Sequence, residues 1–195
     1  MKLILASTSV YRRQLLSRLG LDFSCDQPAV DEAALEGETP ISTAKRLALL
    51  KAEAVAPRHP GALIIGADQV AYAPTSESFE VFEKPGTAAR AIAQLQHMRG
   101  KSIRFHTAVC VFNTTTGRHR LASIDTEARF RVLSNEEIER YVAREQPLDC
   151  AGAAKVEALG ITLLEYVRDD DPTALIGLPL IALSNMLRAE GWVLP

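Results

Sequence analysis

The residues that could do chemistry begin near the amino terminus, where an apolar run gives way to hydroxyl side chains and two arginines. Residues 3–6 are typical of a buried strand, and Ser7-Thr8-Ser9 follows them directly. From Arg12 onward, leucines recur at helical spacing until Gly20. A helix start carries unpaired backbone N–H groups and a partial positive charge. The hydroxyls, Arg12 and Arg13 therefore favour an anion site, with phosphate as the natural ligand.

The alternative interpretation of this segment is structural, with Ser9 capping the helix and both arginines facing solvent. Arg12 argues against it, because it lies on the same helical stripe as Leu15 and Leu19. Arg13 does not lie on that stripe. We therefore expect phosphate binding rather than capping alone.

An acid inside an apolar strand is the next candidate. Residues 63–72 form the most strand-like run of the sequence and carry Asp68 in their middle. A carboxylate in a buried strand is costly unless it is paired, binds a metal or works as a base. Asp68 is thus the strongest functional acid, and an ion pair inside the fold is the structural alternative.

Two lysines and a second acid complete the set of candidates. Lys51 lies on the apolar face of a helix predicted from Thr39-Pro40 to Val55, so it either extends to solvent or has an anionic partner. Lys84 stands at a turn before another predicted helix. Glu32 ends an extended segment, where a solvated loop is the alternative.

Strands and helices that alternate along the chain must position these residues. Helices are also predicted after the caps Thr87 and Ser134, and after Leu178-Pro179. Residues 74–82 are predicted to be a polar loop. Other predicted strands cover residues 21–25, a hairpin of residues 102–113 and 119–133, and residues 161–167. This order predicts an α/β fold with a mixed sheet and flanking helices.

Length and composition limit the functions to consider. The chain has 195 residues, of which 47% are apolar and 24% charged, with a net charge of −2. We expect one domain over residues 1–195, although two small lobes are also compatible with this length. A surface that wraps a nucleic-acid polymer is not indicated, so the arginine pair suits a small anion.

Cysteine and histidine usage points to a reducing compartment. The three cysteines are odd in number and far apart, and the four histidines follow no metal-ligand spacing. Neither a disulfide framework nor a resident transition metal is therefore predicted. The apolar run at the amino terminus is too short for a signal peptide, and no transmembrane run is present. We expect a cytoplasmic protein that does not bind membranes.

Six motifs that occur in order along the whole chain carry a resemblance to a known family. They are Leu5-Ala6-Ser7-Thr8-Ser9 with Tyr11-Arg12-Arg13 and Leu15-Leu16, Val30-Asp31-Glu32, Ile65-Gly66-Ala67-Asp68-Gln69, Glu83-Lys84-Pro85, Leu148-Asp149-Cys150-Ala151-Gly152 and Gly177-Leu178-Pro179-Leu180. The sequence resembles the Maf family of nucleotide pyrophosphatases.

This resemblance implies an enzyme that cuts a nucleoside triphosphate between the α and β phosphates with a divalent cation, Mg²⁺ or Mn²⁺. It also implies a twisted mixed sheet in two lobes around a cleft, similar to inosine triphosphatases, and often a homodimer. Asp68 matches the proton acceptor of the family. The family positions that line the cleft correspond to Ser7, Arg12, Arg13, Glu32, Lys51 and Lys84.

Three positions resemble the subgroup described as 7-methyl-GTP pyrophosphatases, namely Tyr11, Gln69 and Lys155. Broad, pyrimidine-accepting members have arginine at the position of Tyr11 and threonine at that of Gln69. They also have Asp-Lys-Ala-Gly where this chain has Asp149-Cys150-Ala151-Gly152. One departure concerns Val10, which replaces the proline usual in the first helical turn and so loses a fixed φ.

The residue types fit this chemistry when taken by themselves. Four cations, Arg12, Arg13, Lys51 and Lys84, could neutralise a triphosphate and its leaving group. Asp68 with Glu32 could hold Mg²⁺ or activate water, and the sequence does not separate these roles. Lys155 would repel a cationic base, so it belongs toward the phosphates or ribose, in a salt bridge, or on an exposed loop. A regulator that binds a nucleotide without cutting it is the alternative function, against which Asp68 argues.

Overall fold

The computed structural model describes residues 1–76 and 78–194. Among these residues no helix is long and apolar enough to cross a membrane. The helices are α1 Val10–Ser17, α2 Pro40–Val55, α3 Ala88–Met98, α4 Asn135–Glu145 and α5 Leu180–Ala189. The strands are β1 Lys2–Ala6, β2 Ser24–Asp26, β3 Ala62–Pro74, β4 Phe79–Phe82, β5 Ser102–Asn113, β6 Arg118–Phe130 and β7 Leu164–Arg168.

All seven strands belong to a mixed sheet in the order β2-β1-β3-β5-β6-β7, with β4 paired to β3. Strand β1 runs parallel to both β2 and β3. Strands β4 and β7 run antiparallel to β3 and β6. The predicted α/β class with a mixed sheet and flanking helices is therefore confirmed.

The chain divides into two compact units. The first unit contains Met1–Gln69, His106–Ile124 and the chain from Asp171 onward, and the second contains Val70–Phe105 and Asp125–Asp170. The expectation of a single domain over residues 1–195 stays a prediction.

The core of the first unit forms where the apolar side chains of β1 and β3 meet helices α1 and α5. Leu3 and Leu5 lie in register with Leu63 and Ile65 on the parallel strands. These four side chains pack with Leu15 and Leu16 of α1 and with Leu183, Met186 and Leu187 of α5. Burial of each large aliphatic side chain contributes about 1.5–3 kcal/mol. The amino-terminal apolar run thus anchors the start of α1.

Helix caps in the second unit are as predicted. Thr87 accepts a hydrogen bond from the backbone of Arg90 at the start of α3. Ser134 and Glu137 form the capping box of α4. Each cap satisfies donors that the helix leaves unpaired.

The prediction of an irregular loop over residues 74–82 is wrong for most of the residues of this segment that the structure describes. Strand β3 continues to Pro74 and pairs with β4, with Ala71 opposite Phe82. Phe82 is buried while Val81 is exposed, as expected for neighbouring strand residues that face opposite sides of a sheet. Glu77, in the same prediction, lies outside the described residues.

Strand boundaries also differ from prediction, and β6 ends at Phe130, three residues before the predicted end of the hairpin. The strand predicted over residues 21–25 is β2 at Ser24–Asp26, and the one predicted over residues 161–167 begins only at Leu164. A 3-10 turn at Leu159–Leu163 occupies the start of the second segment.

Candidate active site

The first turn of α1 combines a helix cap with an oriented arginine. The Ser9 hydroxyl accepts the backbone N–H of Arg12 at 3.3 Å, and the buried Ser7 hydroxyl accepts that of Ser9 at 3.1 Å. The Arg12 side chain is directed inward, because its Nε donates to the Gly177 carbonyl at 2.9 Å. Capping by Ser9 is therefore real, but it does not leave Arg12 in solvent. Arg13 is exposed.

Burial and charge act on the Arg12 guanidinium in opposite directions. Desolvation lowers its pKa from the ordinary value, and the negative charges of Asp68 and Glu32 oppose that change. Arginine stays protonated in proteins, because its guanidinium group delocalises the charge. Arg12 is thus a fixed cation in the field of two acids.

Lys51 brings those two acids together. Its Nζ lies 2.6 Å from Asp68 Oδ1 and 3.0 Å from Glu32 Oε1. The side chains of Lys51 and Asp68 are only 5% and 9% exposed, whereas that of Glu32 is 55% exposed. The anionic partner expected for Lys51 is therefore present, and Asp68 does form an ion pair inside the fold. The same contact also fixes the direction of the Asp68 carboxylate.

Gly66 allows α2 to approach β3 closely enough for this contact. A Cβ added at Gly66 would overlap the Ala48 carbonyl oxygen and would lie 2.9 Å from the Ala52 backbone nitrogen. Ala48 and Ala52 flank Lys51 on α2. Since Asp68 follows two residues after Gly66 on β3, the bare backbone at this position brings lysine and aspartate within reach.

A second ion pair holds the loop that carries Glu32. Arg46 of α2 bonds Glu38 Oε1 through Nε and Oε2 through Nη2, both at 2.7 Å. The same Nη2 donates to the Ala33 carbonyl at 3.0 Å, one residue from Glu32. The Arg46 hydrogen bonds lower the pKa of Glu38 to about 2. The loop is therefore fixed to the helix that presents Lys51.

Gln69, next to Asp68, uses its amide nitrogen within the first unit. Nε2 donates to Thr107 Oγ1 at 2.9 Å and to the Ala174 and Leu175 carbonyls at 3.1 and 3.0 Å. A neutral amide can offer both a donor and an acceptor to a base edge. In the structure the donor is already engaged, which leaves the carbonyl oxygen for that purpose. Tyr11 is half-buried on α1.

Two predicted residues belong to the second unit. Lys84 is exposed between β4 and α3. Lys155 Nζ lies 2.7 Å from Glu145 Oε1, and this bond raises the pKa of Lys155. Its backbone N–H donates to the Tyr141 hydroxyl at 3.0 Å. Of the surroundings predicted for Lys155, the structure shows the salt bridge.

The donor atoms near Lys51 fit a divalent cation only with help from a substrate. No group of three or more His, Cys, Asp or Glu side chains is placed to hold a metal within residues 1–76 and 78–194. Asp68 and Glu32 nevertheless converge on one cationic position. Mg²⁺ is commonly bound by one or two carboxylates together with substrate phosphates and water. These two acids suit such shared coordination.

Comparison with known proteins gives the family. The family model described as Maf-like protein matches residues 2–190. The chain belongs to the Maf family. A 7-methyl-GTP pyrophosphatase from Aromatoleum aromaticum is 60% identical over 194 residues, which is 100% of this chain and 98% of that protein. Another protein of that name, from Cupriavidus metallidurans, is 55% identical over 97% of this chain and 94% of its own length.

Similarity to solved structures is much lower. A HAM1 protein from Coxiella burnetii matches 68% of this chain and 74% of its own chain, with 15% identity and a TM-score of 0.46.

Sequence reasoning missed several residues that shape the site of this Maf-family chain. They are Gly66, Arg46 and Glu38 described above, and the turn whose carbonyls bind Arg12 and Gln69. Gly66 and Gly177 lie in the family motifs. A glycine inside such a motif is a signal for a close backbone approach or a positive φ. Nothing in the sequence pattern pairs Arg46 with Glu38, because Glu38 precedes α2 and Arg46 lies eight positions later, inside the helix.

Proposed function

We propose that this protein hydrolyses 7-methyl-GTP to 7-methyl-GMP and pyrophosphate. The observation that carries the proposal is the convergence of Asp68 and Glu32 on the Lys51 ammonium in the field of Arg12. It occurs in a Maf-family chain whose relatives at 60% and 55% identity bear the name of that activity. In this proposal Arg12 and Lys51 supply positive charge for the triphosphate, and Asp68 supplies a carboxylate that activates a water molecule.

Water attacks the α-phosphorus in the proposed reaction. The Asp68 carboxylate accepts a proton from this water as the new P–O bond forms. The bond from the α-phosphorus to the bridging oxygen then breaks, and pyrophosphate leaves with the bond electrons. Lys51 keeps the carboxylate oriented through its 2.6 Å contact. A general base must also lie within hydrogen-bond reach of the water that it deprotonates.

The cations of the first unit stabilise the charge that develops on the leaving group. Arg12 is held by the Gly177 carbonyl at 2.9 Å, so its remaining guanidinium N–H groups have a fixed direction. Ordered donors of this kind need no reorganisation during the reaction. Arg13 is exposed and suits the outer phosphates. The role predicted for Lys84 stays a prediction for mutagenesis.

Glu32 and Asp68 would hold the divalent cation, Mg²⁺ or Mn²⁺. When bound, such an ion neutralises phosphate charge and orients the phosphate oxygens. Glu32 suits this role because its side chain is more than half exposed at 55%, so it can reach a ligand without leaving a buried position.

Tyr11 is the proposed selector of the base. Methylation at N7 places a positive charge on the purine ring, and an aromatic face attracts a cation where arginine repels it. Gln69 can accept a hydrogen bond through its carbonyl oxygen. Lys155, in its salt bridge with Glu145, acts by shaping its own loop rather than by facing a cationic base.

A pyrophosphate-release assay on purified protein tests the proposal. With Mg²⁺ or Mn²⁺ present, we expect 7-methyl-GTP to be cut faster than GTP, UTP or dTTP. Equal rates on all four nucleotides would indicate a nucleoside triphosphate pyrophosphatase of broader specificity. Tight nucleotide binding without release of pyrophosphate would instead indicate a regulator.

Two further properties belong to the same proposal. Cys25, Cys110 and Cys150 form no disulfide within residues 1–76 and 78–194, which suits the reducing cytoplasm. The homodimer that the family suggests can be measured by light scattering.

A further inference from the structure

The amino terminus of α5 is held by side chains that precede it in sequence. Its N-cap position, Pro179, offers no side-chain cap. Instead, Asp171 Oδ2 accepts the backbone N–H groups of Ile181 at 2.7 Å and Ala182 at 3.3 Å. The Thr173 hydroxyl accepts the N–H of Leu180 at 2.7 Å. The first three N–H groups of α5 are thus satisfied from a distance.

Asp171 and Thr173 also bind each other. Asp171 Oδ1 accepts the Thr173 hydroxyl at 2.6 Å and the Thr173 backbone N–H at 3.1 Å. Asp171 is 1% exposed. Four donors therefore compensate the charge of a buried carboxylate, and the helix dipole adds to this effect. We call Asp171 and Thr173 the α5 clamp.

The turn between the clamp and α5 presents its carbonyls to the candidate site. Ala174 and Leu175 accept the Gln69 amide, and Gly177 accepts Arg12 Nε at 2.9 Å. Gly177 has φ +117, a left-handed value that suits glycine. The turn is closed by the Gly177 N–H bond to the Ala174 carbonyl at 2.9 Å.

We propose that the α5 clamp is a positioning device for Arg12, so that Asp171 and Thr173 determine phosphate binding and catalysis without touching substrate. The clamp fixes both ends of the turn, since it binds residues 171–173 on one side and the N–H groups of residues 180–182 on the other. The Gly177 carbonyl of this turn then fixes the Arg12 guanidinium. A displacement of about 1 Å at such a group can cost about 10²-fold in rate.

The proposal rests on the proposed function, and Thr173→Val provides its main test. Asp171→Asn is the obvious change, but it replaces a buried acceptor by an amide and can prevent folding. Thr173→Val keeps the shape of the side chain and replaces the hydroxyl by a methyl group. We expect kcat/KM for 7-methyl-GTP to fall at least about tenfold, and Thr173→Ser to restore it to within about threefold.

A double-mutant cycle with Arg12→Ala separates positioning from general stability. If the clamp acts through Arg12, Thr173→Val changes kcat/KM by less than about twofold once Arg12 is alanine. Equal losses in both backgrounds would overturn the proposal. So would a Thr173→Val protein whose melting temperature falls while kcat/KM is unchanged.

Ser134→Ala is the matched control, because it removes a cap hydroxyl from α4 in the second unit. We expect it to leave kcat/KM unchanged, and an equal loss in this variant would contradict a specific role for the clamp.

Calorimetric binding of inorganic tripolyphosphate gives a second readout of the same cycle. If the wild-type protein binds tripolyphosphate but releases no pyrophosphate from any nucleotide, the proposed function fails alone. The tripolyphosphate affinities then replace kcat/KM in the cycle. We expect Thr173→Val to weaken binding when Arg12 is present and to have little effect once Arg12 is alanine. A wild-type protein that neither binds nor hydrolyses overturns both proposals.

Discussion

Asp68 serves the fold and the proposed chemistry with the same carboxylate. Its oxygen lies 2.6 Å from Lys51 Nζ, and its side chain is 9% exposed. A strand residue with this burial must be paired, and the pairing also gives it one orientation. Structural and functional interpretations of this residue are therefore not alternatives. The sequence identified the residue, while the identity of its partner required the structure.

Asp68→Asn should abolish hydrolysis and preserve the fold. The amide keeps the shape but loses the charge and basicity, and Lys51 retains Glu32 at 3.0 Å. We expect kcat to fall by at least about 10²–10³-fold. Circular dichroism tests whether the fold is preserved, and single-turnover pyrophosphate release measures the loss of hydrolysis. Asp125→Asn, at an Arg104 ion pair of the second unit, is the control and should stay within about twofold of wild type.

Tyr11→Arg should weaken the preference for 7-methyl-GTP over GTP. Loss of a cation–π contact of roughly 0.5–2 kcal/mol corresponds to a factor of about 2–30 in discrimination. Competition between the two substrates in one reaction measures this ratio directly. Tyr11→Phe keeps the ring and should retain the preference. An unchanged ratio in the arginine variant would remove Tyr11 from base selection.

At the scale of elements, close packing of α2 on β3 is the feature on which the site depends. Gly66→Ala should push the helix away, because backbone atoms of Ala48 and Ala52 leave no room for a Cβ. We expect a loss of about 3 kcal/mol or more in the free energy of unfolding, together with loss of activity. Urea denaturation and kcat/KM measure these effects.

Gly117→Ala is the control for this change. Gly117 has φ +68 in an open turn, so alanine there costs about 1–2 kcal/mol through backbone strain alone. Activity should be retained. If Gly66→Ala behaves like Gly117→Ala, the close approach does not position Lys51.

Elements with strong local signals were predicted well from the sequence. Helix α2 begins after Thr39 and ends at Val55 as expected, because a cap, a proline and an apolar stripe agree. Strand β4 was missed because Glu80 within its four residues, and the polar residues before them, outweigh its two phenylalanines. The α5 clamp was missed because Asp171 lies ten residues before Ile181, whose N–H it binds. Contacts of that separation leave no periodic signal.

At the scale of the whole molecule, acid should destabilise the protein in part through Glu38. Its pKa is lowered to about 2 in the folded state, so its contribution to stability is present above its ordinary pKa of about 4.3. The contribution is lost as pH falls toward 2. Glu38→Gln should therefore reduce the urea midpoint at pH 6, and the difference from wild type should shrink at pH 3.

Glu36→Gln on the same loop is the control for acid unfolding. Glu36 is exposed. Its replacement should leave the midpoint close to wild type at both pH values. A Glu38→Gln difference that stays constant from pH 6 to pH 3 would contradict the role given to the Arg46 pair.

Because Asp68 is buried and Glu32 is exposed, substitutions around Lys51 differ in how well evolution can tolerate them. Replacement of Lys51 strands the Asp68 charge at a cost of about 3–5 kcal/mol, enough to unfold a marginal protein. Replacement of Glu32 leaves the buried pair intact and removes only an exposed partner, worth about 1 kcal/mol or less. A descendant that lost Glu32 would still fold and keep Arg12 and Arg13, the proposed phosphate ligands. Because Glu32 is a proposed ligand of the divalent cation, we expect such a descendant to bind nucleotide and to hydrolyse it more slowly.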